Sequence, residues 1–185
     1  MAVRFTETPL KGVFTIEPDL FGDARGFFME TWQKTRYQDA GINADFVQDN
    51  HSRSEKGVIR GLHYQREHAQ AKLVYAVRGT IFDVAVDLRQ GSATFGQWTG
   101  CLLSDENRKQ LFVPQGFAHG FSVLSDVADV TYKCSDYYTP GDEYGILYND
   151  PDLAIDWQVD TALVSDKDLI HPCLKNVSPG QLFTV

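Results

Sequence analysis

Residues 72–88 read KLVYAVRGTIFDVAVDL, a pattern of strands rather than helices. Two runs rich in β-branched and aromatic residues flank Arg78-Gly79-Thr80, a tight-turn signal. In the second run Phe82, Val84, Val86 and Leu88 alternate with Asp83, Ala85 and Asp87. A period of two sends one set of side chains to a core and turns the other towards water or a cavity. Outward from this stretch, short strands are expected over 96–103, 110–113, 120–124 and 128–134. Pro114-Gln115-Gly116 and Pro140-Gly141 punctuate them. Strands at short spacing with turns between them indicate a closed or double-sheet antiparallel fold, a β-barrel or jelly roll with few helices. Only 30–40 reads as helical, with Gly41 as its cap.

The chain has 185 residues, which suits one domain over 1–185, the loop-rich tail from about 151 packing on the barrel. An apolar fraction of 43% supplies a sizeable core. A formal net charge of −8 repels nucleic acid as a whole, although a few local cations suffice for a small anion. Cys101, Cys134 and Cys173 are scattered and odd in number, which argues against a disulfide framework and for inert thiols in a reducing compartment. The first residues show no apolar leader, and no run approaches the ~18 apolar residues of a spanning helix. The expectation is a cytoplasmic protein with no membrane partner.

The chemistry-bearing residues concentrate in a few segments. GVIRGLHYQREHAQAK, 57–72, holds Arg60, His63 and Lys72. On a regular strand Arg60 and His63 face opposite sides, so one pocket for both requires a bulge or twist at Gly61. Gln48 and Asn50 share a strand face, and two inward amides need a partner, whether a ligand or a buried network. Arg25 and Glu30 flank a turn and read alone as a surface charge pair. His119 lies between Ala118 and Gly120 at a strand start. Tyr132 sits in a strand and Tyr138 opens a turn before Glu143, both compatible with plain aromatic packing. Lys167 and Asp168 belong to SDKD, 165–168, which reads alone as a solvated loop.

A metal centre is not expected. His63 is followed two positions on by Gln65 rather than a second His, and His51, His119 and His171 form no paired cluster in sequence. There is no G-x-S-x-G elbow, P-loop or G-x-G-x-x-G. What remains is His, Tyr and Asp beside Arg and Lys, an inventory for cofactor-free proton transfer on an anionic substrate.

VIRGLHYQ, AKLV with GTIFDVAVDLR, SATFGQW, PQGFAHGF and YKCSDYYTPGDE together resemble the dTDP-4-dehydrorhamnose 3,5-epimerase family, in the same order from about residue 12 to 167. The resemblance implies a cupin-like jelly roll, a dTDP-4-keto-6-deoxy-hexose substrate, and a homodimer with exchanged N-terminal strands. It also implies His63 as base, Asp168 as its carboxylate partner and Tyr132 as acid, with Lys72 and His119 lining the same pocket. Arg25, Glu30, Gln48, Asn50, Arg60, Glu143 and Lys167 fall on the family's diphosphate and nucleotide contacts, and Tyr138 on its thymine-stacking aromatic. His51, His68 and His171 gain no role and stay structural or surface residues. Two rivals stand beside this reading. One is a single-carbon epimerase or ketoisomerase on a similar nucleotide sugar. The other is a non-enzymatic sugar-binding cupin, which has no need of an acid–base pair.

Overall fold

The computed structural model describes residues 3–185. In chain order the strands and helices are β1 (Arg4–Glu7), β2 (Phe14–Glu17), β3 (Leu20–Asp23), β4 (Gly26–Met29), α1 (Lys34–Asp39), β5 (Gln48–Glu55), β6 (Ile59–Gln65), β7 (Lys72–Arg78), β8 (Thr80–Asp87), β9 (Arg89–Gln90), β10 (Trp98–Ser104), β11 (Gln110–Val113), β12 (Phe117–Val123), β13 (Val127–Cys134), β14 (Glu143–Gly145), α2 (Asp166–Leu169) and β15 (Phe183–Thr184). A six-stranded sheet, β1-β2-β11-β7-β13-β5, faces a five-stranded sheet, β10-β8-β12-β6-β14, and every pairing within both is antiparallel. The architecture is therefore a mainly β, jelly-roll-like sandwich.

Alternation explains where each face goes. Val74 and Ala76 of β7, Leu111 and Val113 of β11, and Val130 of β13 meet Ile81 and Ala85 of β8 and Phe117 and Phe121 of β12 between the sheets. The opposite face of β8, carrying Phe82, Val84 and Val86, is also buried, under Ile146, just after β14, and Leu153, Trp157, Leu174 and Leu182 of the C-terminal tail. Neither face of β8 meets water. Asp83 and Asp87, on the side the alternation left open to water or a cavity, are fully buried, Asp87 accepting hydrogen bonds from Arg89, Ser92 and Thr94.

The turn at Arg78-Gly79-Thr80 is not a hairpin between paired strands. It is a corner carrying the chain from the six-stranded to the five-stranded sheet. Gly79 has φ +74, and a Cβ there would lie 2.2 Å from the Val127 carbonyl oxygen. The helix expected over 30–40 is shorter, Lys34–Asp39, because Gln33 is extended and its side chain caps the Arg36 N–H. Glu30 instead forms an ion pair with Arg36.

β6 carries the irregularity on which the site depends. Against β12, His63 pairs with His119 but Arg60 pairs with Phe121, so three steps on β6 match two on β12. This one-residue bulge brings Arg60 and His63 onto one side. Gly61 occupies it at φ +127, where a Cβ would lie 2.5 Å from Gly120 Cα and 2.8 Å from the His119 carbonyl oxygen. Gly61→Ala is expected to lose ~1–3 kcal/mol to backbone strain alone, and more to the clash. Gly141, also at positive φ but with nothing near its missing Cβ, is the control. Denaturant unfolding showing equal losses for Gly61→Ala and Gly141→Ala would contradict this account.

Candidate active site

Between the layers lies a cavity of about 680 Å3 lined by Arg60, His63, Lys72, His119, Tyr132, Lys167 and Asp168, among others. A second lobe of about 420 Å3 shares His63, Lys72, Tyr132 and Lys167 and adds Gln48, Asn50, Tyr138 and Glu143. His63 stands on β6 in the five-stranded sheet and Tyr132 on β13 in the six-stranded sheet, so they occupy opposite walls.

His63 Nε2 lies 2.6 Å from Asp168 Oδ1. Asp168 is buried, and its backbone N–H is capped by Ser165, which opens α2. Burial alone would raise the Asp168 pKa, but the hydrogen bond and charge of His63 outweigh it and hold the carboxyl below its usual range. An ionised Asp168 only accepts, so His63 carries its proton on Nε2. Its Nδ1 has no protein partner among the described residues and is left as the basic nitrogen.

Tyr132 is desolvated, which raises its pKa and keeps the phenol protonated near neutrality. Burial pushes the Lys72 pKa down, only partly opposed by Cys134, Asp83 and Glu143. Neither Tyr132 Oη nor Lys72 Nζ has a protein hydrogen bond among the described residues, so both are free for a ligand. Arg60 Nε donates to Ser54 Oγ at 3.0 Å, which aims the guanidinium. Arg60 and Lys167 bring positive charge to this cavity beside the ionised Asp168, in a chain of net charge −8. Gln48 and Asn50 are bonded to each other at 3.1 Å, and the Tyr138 N–H donates to Gln48 Oε1 at 2.9 Å. Lys167 pairs with Glu143.

Two expected site residues lie elsewhere in the single chain. The Arg25 side chain is 89% exposed, paired with Asp23 at the β3–β4 turn, and Glu30 is held by Arg36. Neither lines the cavity. The β3–β4 hairpin forms a separate two-stranded sheet with Leu20, Phe21, Phe27 and Phe28 all exposed, although Arg108 stacks over the Phe27 ring.

The structure also brings in residues that the sequence did not single out. His119 Nε2 lies 2.8 Å from buried Asp83 Oδ1, a second His–carboxylate pair. The alternation had placed Asp83 on one face without naming its partner. His171, read from sequence as structural or surface, packs edge-to-face against His63 with centroids 5.8 Å apart and lies 3.7 Å from Asp168 Oδ1. His63 and His171, far apart in sequence, thus meet beside Asp168. The thiols are removed from this chemistry: Cys134 is buried, and burial pushes the Cys101 pKa up to about 12.

A sandwich whose cleft holds a His–Asp pair opposite a protonated Tyr, with cations beside it, has close counterparts. A family profile described as dTDP-4-dehydrorhamnose 3,5-epimerase matches residues 7–176. An enzyme of that name from Methanothermobacter thermautotrophicus is 54% identical over 168 residues, covering 89% of this chain and 91% of the relative. Among solved structures, dTDP-6-deoxy-D-glucose-3,5-epimerase from Legionella pneumophila, in complex with dTDP-4-keto-L-rhamnose, is 49% identical with a TM-score of 0.97, covering 100% of this chain and 99% of that one. The dTDP-4-dehydrorhamnose 3,5-epimerase from Bacillus anthracis, with TDP and PPi bound, is 48% identical with a TM-score of 0.90, covering 93% and 99%. Matched over residues 7–176 in sequence and over its whole length in cupin-like fold, the chain belongs to the dTDP-4-dehydrorhamnose 3,5-epimerase family.

Proposed function

We propose that this chain inverts C3 and C5 of dTDP-4-dehydro-6-deoxy-D-glucose, giving dTDP-4-dehydro-L-rhamnose, by acid–base proton transfer. The observation that carries this reading is the His63–Asp168 pair at 2.6 Å on one wall, with a protonated Tyr132 on the other. The C4 ketone acidifies the hydrogens on C3 and C5. His63 Nδ1 takes a proton, and Asp168 stabilises the imidazolium that forms. The carbon's electron pair moves to the ketone oxygen, where Lys72 Nζ donates a hydrogen bond that stabilises the enolate. Tyr132 returns a proton from the opposite face. His119, fixed by Asp83, lines the same cavity.

Arg60 and Lys167 grip the diphosphate, Arg60 by its two-pronged geometry. Gln48, Asn50 and Glu143 serve the nucleotide end, where Tyr138 stacks on the base. Arg25 and Glu30 join through a second copy, whose β3–β4 hairpin crosses into this cavity. The exposed Leu20, Phe21, Phe27 and Phe28 support such pairing, since isolated hairpins rarely leave this much apolar surface to water. The three free thiols support a cytoplasmic setting. No described helix is long and apolar enough to cross a membrane.

Incubation of substrate in heavy water tests the reading. Product with deuterium at both C3 and C5 and inverted configuration is expected. Deuterium at one carbon would indicate a single-carbon enzyme, and none would leave only a sugar-binding protein. Arg60→Ala should weaken dTDP binding by ~1.5–3 kcal/mol, the range for hydrogen bonds to a charged group. Calorimetry finding unchanged affinity in the folded variant would remove Arg60 from the anion site.

A further inference from the structure

His171 Nε2 is buried and has no hydrogen-bond partner. A buried polar atom left unpaired costs free energy, so it needs a physical account. Its ring is held in place: a Cβ on Gly145, beside His63 in the β14–β6 pairing, would lie 2.4 Å from the His171 ring. The unpaired nitrogen is 3.7 Å from Asp168 Oδ1, the oxygen that accepts from His63 at 2.6 Å. One ligand atom from each of His63, Asp168 and His171 lies within 4.8 Å of the others. Two imidazoles and a carboxylate, partly buried and next to an open cavity, form a three-ligand set with a fourth position for solvent, the donor set of zinc sites that keep an open position.

We propose that His63, Asp168 and His171 form an inhibitory site for Zn2+ and similar divalent transition cations. The inference rests on His63 being the base of the proposed reaction. Zinc bonds run ~2.0–2.2 Å to imidazole nitrogen and carboxylate oxygen, so ligand atoms spread around an ion sit somewhat wider than the His63–Asp168 hydrogen bond. A modest withdrawal of His63 from Asp168 admits the ion in place of the Nε2 proton. That proton moves to Nδ1, because neutral imidazole keeps one N–H and binds metal through the other nitrogen. Nδ1 then donates instead of accepting, and His63 cannot abstract a proton. His171 supplies the ligand that a bare His–Asp pair lacks.

The test uses the purified full chain. Cobalt(II), added as a spectroscopic stand-in, should give visible d–d bands of a low-coordinate ion at one equivalent, without thiolate charge-transfer absorption. These bands should vanish in His171→Phe and in His171→Leu, the second variant guarding against a failure of the first to fold. Zinc should inhibit deuterium incorporation by the parent protein, and a chelator should restore it. His171→Phe should still turn over substrate while needing at least ~10-fold more zinc for half-inhibition, the low end of what even an outer-shell change costs in metal affinity. Equal zinc sensitivity in parent and folded His171→Phe would overturn the proposal. So would cobalt bands of thiolate character that persist in both variants. Should the protein prove not to epimerise, the cobalt bands still decide the metal site by themselves.

Discussion

His63→Ala should lose both deuterium exchange and inversion, each by ~10²–10⁴-fold, the worth of a positioned acid or base. His63 and His119 both have Nε2 held by a buried carboxylate, but the His63 side chain is 25% exposed and that of His119 only 7%, which makes His63 the accessible base. His119 stands on β12 and is tied to Asp83 of β8, so it does not occupy the position of His63 beside Asp168. His171 does not substitute either, since burial pushes its pKa down and its unpaired nitrogen faces the Asp168 side. Exchange is the more telling readout, because it reports proton removal whether or not the carbon inverts. Proton NMR of the substrate in heavy water follows it directly. The variant leaves Asp168 buried without its main partner, so circular dichroism must first confirm a folded protein. A folded His63→Ala that exchanges at near the parental rate would move the base to another residue.

Much of this architecture is legible from local pattern. Period-two alternation in 80–88 marks β8, and Gly and Pro punctuation separates β10 to β13 with boundaries within three residues. What local pattern does not carry is partnership across the sandwich. The turn at Gly79 looks like a hairpin because turn chemistry is the same whether the next strand pairs with the last or passes to the opposite sheet. Arg60 and His63 are three apart, and only the Gly61 bulge, visible in sequence as one glycine, brings them to the same side. Asp168 is 105 positions from His63 and Asp83 is 36 from His119, so neither pairing has a periodic signature. The site roles came from family resemblance, not from spacing. Spacing also left His171 aside, because its neighbours are set by α2 and by the space above Gly145. Arg25 and Glu30 mark the remaining limit: within this chain they pair with Asp23 and Arg36 away from the cavity, so the single chain gives them no site role.

Tyr132→Phe should separate the two halves of the reaction. Inversion needs a proton removed from one face and another delivered to the opposite face. His63 performs the first step alone. Once protonated, it can also return a proton to the face it came from. In heavy water the imidazolium exchanges its proton for deuterium, so return from that side leaves deuterium with the original configuration. The substitution removes only the phenol oxygen, and the ring keeps its packing against the interlayer core. That oxygen has no protein hydrogen bond to lose among the described residues, so stability should change little. Desolvation holds the phenol protonated near neutrality, the form an acid requires, and Tyr132 stands on the sheet opposite His63. The variant is therefore expected to keep exchanging a substrate C–H for deuterium while inversion falls by at least ~10²-fold, the lower end for a positioned acid. One heavy-water NMR experiment reads both quantities, exchange from the loss of proton signal and inversion from the coupling constants of the ring. If folded Tyr132→Phe inverts at near the parental rate, the proton comes from another group or from water, and the two-walled mechanism loses its acid.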